Sequence, residues 1–155
     1  MAKRITPSQA VAAGRARTAL LVAAGLTLLL FLVPFGRFVA WPLMLLSTFV
    51  HEMGHGIAGV LVGGEFDSFR MWANGSGLAR VGGYSGALAR AAVSAGGLVG
   101  PAVVAAVFFT LGRRPRLARL SLDAFGAFCL VAMVVVVRNP FGWVFVGLLG
   151  ALCLV

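Results

Sequence analysis

Apolar runs comparable in length to the roughly 30 Å hydrocarbon core of a bilayer follow one another along most of this chain, separated only by short polar or basic stretches. They fall at about residues 18–33, 38–62, 91–111, 120–137 and 141–155. Hydrophobic residues make up 61% of the 155 positions and charged ones 11%, and mean hydropathy is +1.02. A soluble enzyme cannot bury that much apolar surface, so soluble folds are excluded. The expected fold is an all-α polytopic membrane protein with about four to five transmembrane helices in one domain. The long polar interval at residues 63–84 breaks the pattern. It holds the alternating stretch Phe66-Asp67-Ser68-Phe69-Arg70-Met71-Trp72 and the turn-forming Asn74-Gly75-Ser76-Gly77, so a Gly-rich, strand-like or re-entrant segment is expected there. A helix over 91–111 is expected to break or kink near Gly96-Gly97-Leu98-Val99-Gly100-Pro101.

The formal charge of +9 arises from 13 Lys and Arg against 4 Asp and Glu. Lys3, Arg4, Arg15 and Arg17 precede the first run, and Arg113, Arg114, Arg116 and Arg119 separate two later ones. Charges so placed orient helices in a bilayer, and no aromatic-rich basic surface is left for nucleic acid. Residues 1–17 read as a basic cytoplasmic tail, and residues 18–155 as the integral-membrane domain. The first run has no small-x-small cleavage site after it and reads as an uncleaved helix. The tail-inside orientation is favoured, although it leaves the 113–119 turn outside unless a segment between Gly63 and Arg90 changes the crossing count. The last run is shorter than a span and stops at Val155 in mid-pattern, so a continuation of the chain is expected; a half-helix buried against its neighbours is the alternative. Cys129 and Cys153 lie in apolar runs and read as small hydrophobes. The abundance of Ala, Val, Gly and Arg suggests a bacterial source, hence a bacterial plasma membrane.

Both histidines of the protein stand four residues apart and enclose one of its two glutamates, in His51-Glu52-Met53-Gly54-His55. On a helix, positions four apart share a face, so the two imidazoles can converge on one tetrahedral metal ion. Glu52, next to the first ligand, can then act as the general base on a metal-activated water and pass the proton to the departing amine. Placing a Glu and two His in an apolar helix costs a few kcal/mol for an ionised carboxylate at the bilayer centre, at about the values measured by insertion, and this points to a purpose. The blander reading is that these side chains bond neighbouring helices or meet water at a helix end. Gly54, Gly56, Gly59 and Gly63 thin one face, for packing or for a water path.

With Gly63-Gly64, Asn74-Gly75-Ser76-Gly77 and Ser94-Ala95-Gly96-Gly97-Leu98-Val99-Gly100-Pro101 following the histidine motif, the chain resembles the M50B-like branch of the site-2 protease metallopeptidases over about residues 49–111. The resemblance implies an intramembrane protease that cleaves membrane-anchored proteins. It further implies Zn2+ as cofactor, His51 and His55 as zinc ligands and Glu52 as the catalytic base. Site-2 proteases take a third ligand from an Asp, commonly in an Asp-Gly pair. No such pair occurs here, Phe141 stands where Arg138-Asn139-Pro140-Phe141-Gly142 would need the Asp, and the ligand is expected either from Asp123 or beyond Val155. Asp123 also suits the first turn of a helix, where the dipole favours a carboxylate. The partners expected are a membrane-protein substrate and the lipid bilayer, without nucleic acid.

Gly63-Gly64-Glu65-Phe66 spells a diguanylate cyclase signature, but the soluble α/β scaffold of those enzymes is missing. Two competing functions are a non-catalytic membrane scaffold or chaperone that keeps the motif without a complete zinc site, and a metal-handling channel, for which two histidines and one carboxylate make a poor path.

Overall fold

A computed structural model describes residues 7–155, so Lys3 and Arg4 of the expected tail lie outside the described residues. The order of elements is α1 (Pro7–Leu32), α2 (Gly36–Leu61), β1 (Glu65–Met71), β2 (Gly77–Gly82), α3 (Ala87–Leu111), α4 (Pro115–Val135) and α5 (Pro140–Leu154). The chain is an all-α polytopic membrane protein carrying one small antiparallel sheet. Among the described residues α1 from Ala13, α3 and α4 are both long and apolar enough to cross a membrane. α2 has 26 residues, about 39 Å at 1.5 Å per residue, and so has the length as well. α5 has 15, about 22 Å, and is a shorter apolar helix.

Residues 1–42 and 43–155 form two compact units. In the first, α1 reaches back through residues 7–17, because Pro7 suits a first helical position and the alanines that follow favour the helix. Its turn into α2 is closed by Gly36 N–H donating to the Val33 carbonyl at 2.9 Å.

In the second unit, the rest of α2 runs antiparallel to α3, with Val50 beside Gly100 and Ala58 beside Gly96. At Gly54 and Gly96 the two backbones meet so closely that a Cβ on either residue would collide with the other's carbonyl. α3 is unbroken through Pro101, so the expected break is absent. In hydrocarbon an open backbone group is costly, and a helix loses only one hydrogen bond to an internal proline.

The strands form the expected hairpin, paired Glu65↔Gly82 through Met71↔Gly77 with a bulge between Phe66 and Ser68. It lies back along α2. Phe66 abuts Gly56, Val81 abuts Gly59, and the turn at Gly75 reaches Met44. The hairpin therefore starts and ends at the same end of α2 and adds no crossing. Gly75, at φ +88, supplies the left-handed turn residue, and Asn74 Oδ1 accepts from Ser76 N–H at 3.0 Å.

Period-two alternation puts Phe69 and Met71 inward and Arg70 outward, and the bulge shifts the phase so that Asp67 is outward as well. Phe69 meets Phe49 of α2 at 5.8 Å between ring centroids, and Phe49 meets Phe128 of α4 at 6.2 Å. The core gathers these rings with Leu45, Met53, Cys129 and Val146. The link between α4 and α5 joins the sheet: Phe69 N–H donates to Val136 O at 2.7 Å and Arg138 N–H to Phe69 O at 2.9 Å, a parallel bridge centred on Val137.

Candidate functional site

His51, Glu52 and His55 lie in the middle of α2's second half, half-buried, where α2 meets both α3 and the hairpin. Their four-residue spacing brings the imidazoles together as the sequence implied: the Nε2 atoms are 3.1 Å apart, with ring centroids 4.7 Å apart and planes at 86°. His55 Nδ1 lies 2.7 Å from the Val93 carbonyl on α3. A carbonyl oxygen can only accept, so Nδ1 holds the proton and the Nε2 lone pair of His55 is directed towards His51. Metal-binding histidines are commonly held in this way by a backbone carbonyl at the other ring nitrogen.

Room for the imidazoles themselves comes from Gly97 of α3. A Cβ there would collide with His55 Nε2 and stand 2.8 Å from His51 Cε1. Any other residue at this position would push into the two rings, so the glycine is what lets them seat against α3. The donor set, two neutral-type imidazoles with one tautomer fixed, suits zinc and supplies two of the three protein ligands usual at a catalytic zinc. Among the described residues no group of three His, Cys, Asp or Glu side chains forms a metal site. Asp123, one of the two expected sources of a third ligand, instead makes an ion pair with Arg119 at 3.0 Å, one turn back on α4.

Glu52 faces the hairpin. Its Oε2 accepts from the Ala79 N–H of β2 at 2.7 Å, and a Cβ on Gly77 would approach its Cγ to 2.9 Å. Thr48 Oγ1, one turn earlier, donates to the Gly75 carbonyl at 2.8 Å, tying the tip of the hairpin to α2. Since Ala79 N–H points away from β1, this edge of β2 borders the site, while β1 is occupied on its other side by residues 136–138.

Several contributors were invisible to sequence reasoning. Gly97 stood out only within the Gly-rich stretch expected to break or kink and carried by the family resemblance, and Val93 and Ala79 act through backbone atoms, which leave no trace in residue type. Asn139 had a weak signal, an Asn before a Pro ahead of an apolar run. Its side chain spans the Met71 backbone, Nδ2 donating to Met71 O at 2.6 Å and Oδ1 accepting from Met71 N–H at 3.2 Å. It thus anchors the hairpin to the start of α5 like a short strand.

A family model described as Peptidase M50B-like matches residues 15–155. No curated protein and no solved structure matches the chain.

Proposed function

Since the chain belongs to the peptidase M50B-like family, and is therefore of metallopeptidase type, we propose that it is an intramembrane zinc metalloprotease that hydrolyses peptide bonds of membrane-associated proteins. His51 and His55 are the metal-binding residues and Glu52 is the catalytic base. The observation that carries this reading is the convergence of the two Nε2 atoms at 3.1 Å, with the rings seated against Gly97. When bound there, zinc supplies Lewis acidity that acidifies water and polarises the scissile carbonyl.

The chain's own groups account for the rest. The Val93 carbonyl keeps His55 in one tautomer and orientation. Ala79 N–H donates to Oε2 and so holds the Glu52 carboxyl group in place to take a proton from water and later deliver it to the departing amine. A substrate helix hides its peptide bonds and must be extended before attack, and the outer edge of β2, apart from the Ala79 N–H held by Glu52, offers backbone groups with which an extended segment can pair. Substituting Gly77 by Val crowds Thr48 and Glu52 and is expected to impair cleavage of a tethered substrate.

A second reading has its own observation: two rather than three donors gather among the described residues. A non-catalytic relative, acting as a membrane scaffold or chaperone, would hold zinc weakly or not at all.

Zinc per chain, measured by elemental analysis of the detergent-purified protein, separates the two. About one zinc in the parent and none in His51→Ala is expected for the protease. Glu52→Gln should keep the zinc while cleavage falls by about 10²–10⁴-fold. Zinc-free parent protein, or undiminished proteolysis by Glu52→Gln, overturns the proposal.

A further inference from the structure

Three exposed arginines crowd one turn, Arg113 and Arg114 in the short connection between α3 and α4 and Arg116 in the first turn of α4. Arg119 follows one turn into α4, but it is already engaged, with Asp123 at 3.0 Å and with the Leu154 and Val155 carbonyls at 2.8 and 2.9 Å. Asp123 is therefore spent on Arg119. Among the described residues no ion pair reaches the other three arginines, and the first turn of α4 contains no acid.

The local backbone does not neutralise them. The carbonyl end of α3 and the N–H end of α4 meet at this turn, so their opposite dipole charges largely cancel and the guanidinium charge remains. Arg114 occupies the position where a capping side chain would normally accept a hydrogen bond, and no side chain caps the helix. Soluble helices place acids at such a start.

The setting identifies the compensating charge. Phe109 on the α3 side and Leu120 on the α4 side are both largely exposed, at 72% and 61%, so apolar surface begins on either side of the turn. Both helices are long and apolar enough to cross a membrane. A connection of this length between two such helices lies at the level of the lipid headgroups. Because α3 runs antiparallel to α2, the turn also lies at the end of this unit opposite the base of the hairpin.

We propose that Arg113, Arg114 and Arg116 form a docking site for the phosphates of anionic phospholipids in the adjoining leaflet, which supply the counter-charge the chain lacks. Guanidinium groups match phosphate oxygens with paired N–H donors, which an ammonium cannot do. Each basic residue near an anionic surface strengthens attraction about fivefold, so three contribute on the order of a hundredfold before screening. The inference does not depend on zinc or proteolysis.

The test uses the full chain in nanodiscs of equal phosphatidylglycerol and phosphatidylcholine, released into detergent, with the retained lipids counted by native mass spectrometry. The parent should retain phosphatidylglycerol in preference to phosphatidylcholine. In R113Q/R114Q/R116Q that preference should fall by on the order of ten- to a hundredfold. Thermal unfolding of the variant in detergent should match the parent, because all three side chains are exposed. R70Q/R80Q, which neutralises two exposed arginines of the hairpin, should leave the preference unchanged. Equal retention in the triple variant, an equal loss in R70Q/R80Q, or removal of the lipid by millimolar inorganic phosphate would each overturn the proposal, the last by revealing a site for free phosphate.

Discussion

Two helix pairs in the second unit use the same packing device for opposite ends. Between α4 and α5, Gly126 and Gly150 let the helices close on each other until no space remains: a Cβ on Gly150 would come within 3.1 Å of Cys129 Cβ, in a region where Cys129 and Val146 are fully buried. Between α2 and α3, Gly54 and Gly96 bring the backbones just as near, but the next residue, Gly97, takes the imidazoles of His51 and His55 against its bare Cα. In one pair small residues admit apolar neighbours and in the other they admit polar side chains. Close backbone contact is thus compatible with either a filled core or a site, and what decides is whether polar side chains point into the gap.

The strongest challenge to this contrast is Gly97→Ala. Alanine favours the helix by about 0.5–1 kcal/mol over glycine, so α3 itself should not suffer. The added methyl group nevertheless collides with the imidazole of His55, and zinc affinity is expected to fall by about 10–100-fold, the size of effect seen when the surroundings of a metal ligand are disturbed. Zinc titration of the folded variant reads this directly. Unchanged affinity would mean that the close contact of Gly97 with the histidines is incidental.

A smaller effect is expected from Asn139→Ala, which leaves the part-buried N–H and carbonyl of Met71 without their side-chain partner at a cost of about 1–3 kcal/mol. Hydrogen exchange at Met71 should accelerate, while His51 and His55 continue to face each other. If exchange is unaffected, the hairpin is secured by Phe69 and the bridge to Val137 alone.

The least effect belongs to Gly150→Ala. Overpacking costs about 1–3 kcal/mol and the gain in helix propensity about 0.5–1, leaving a net loss of at most about 2.5 kcal/mol. Thermal unfolding should register that loss without any change in zinc content. A change in zinc content would show that the two helix pairs are coupled.

Much of the architecture was legible in the residues because its causes are local. Apolar runs announced the helices, and the alternation from Phe66 to Met71 with Asn74-Gly75 announced the hairpin. α1 starts at Pro7, inside the stretch read as a basic tail, because charge pattern says nothing of whether its alanines are helical. Of the break or kink expected at Gly96 to Pro101 a break does not occur, because Gly and Pro are weighed against water, whereas here the alternative to a helix is an open backbone in hydrocarbon.

The site divides along the same line. The spacing of His51, Glu52 and His55 on a 3.6-residue helix was determined by sequence alone, since periodicity places both imidazoles on one face in any surroundings. What only the tertiary structure decided is everything that reaches those side chains from elsewhere in the chain: the Val93 carbonyl that sets the tautomer of His55, the bare Cα of Gly97 against the imidazoles, the Ala79 N–H on Glu52, and the engagement of Asp123 by Arg119. Backbone donors and acceptors are present at almost every residue, and what a glycine lies against depends on how the helices pack. Neither is written in residue type, so only the packing of α3 and the hairpin against α2 brings them to the site.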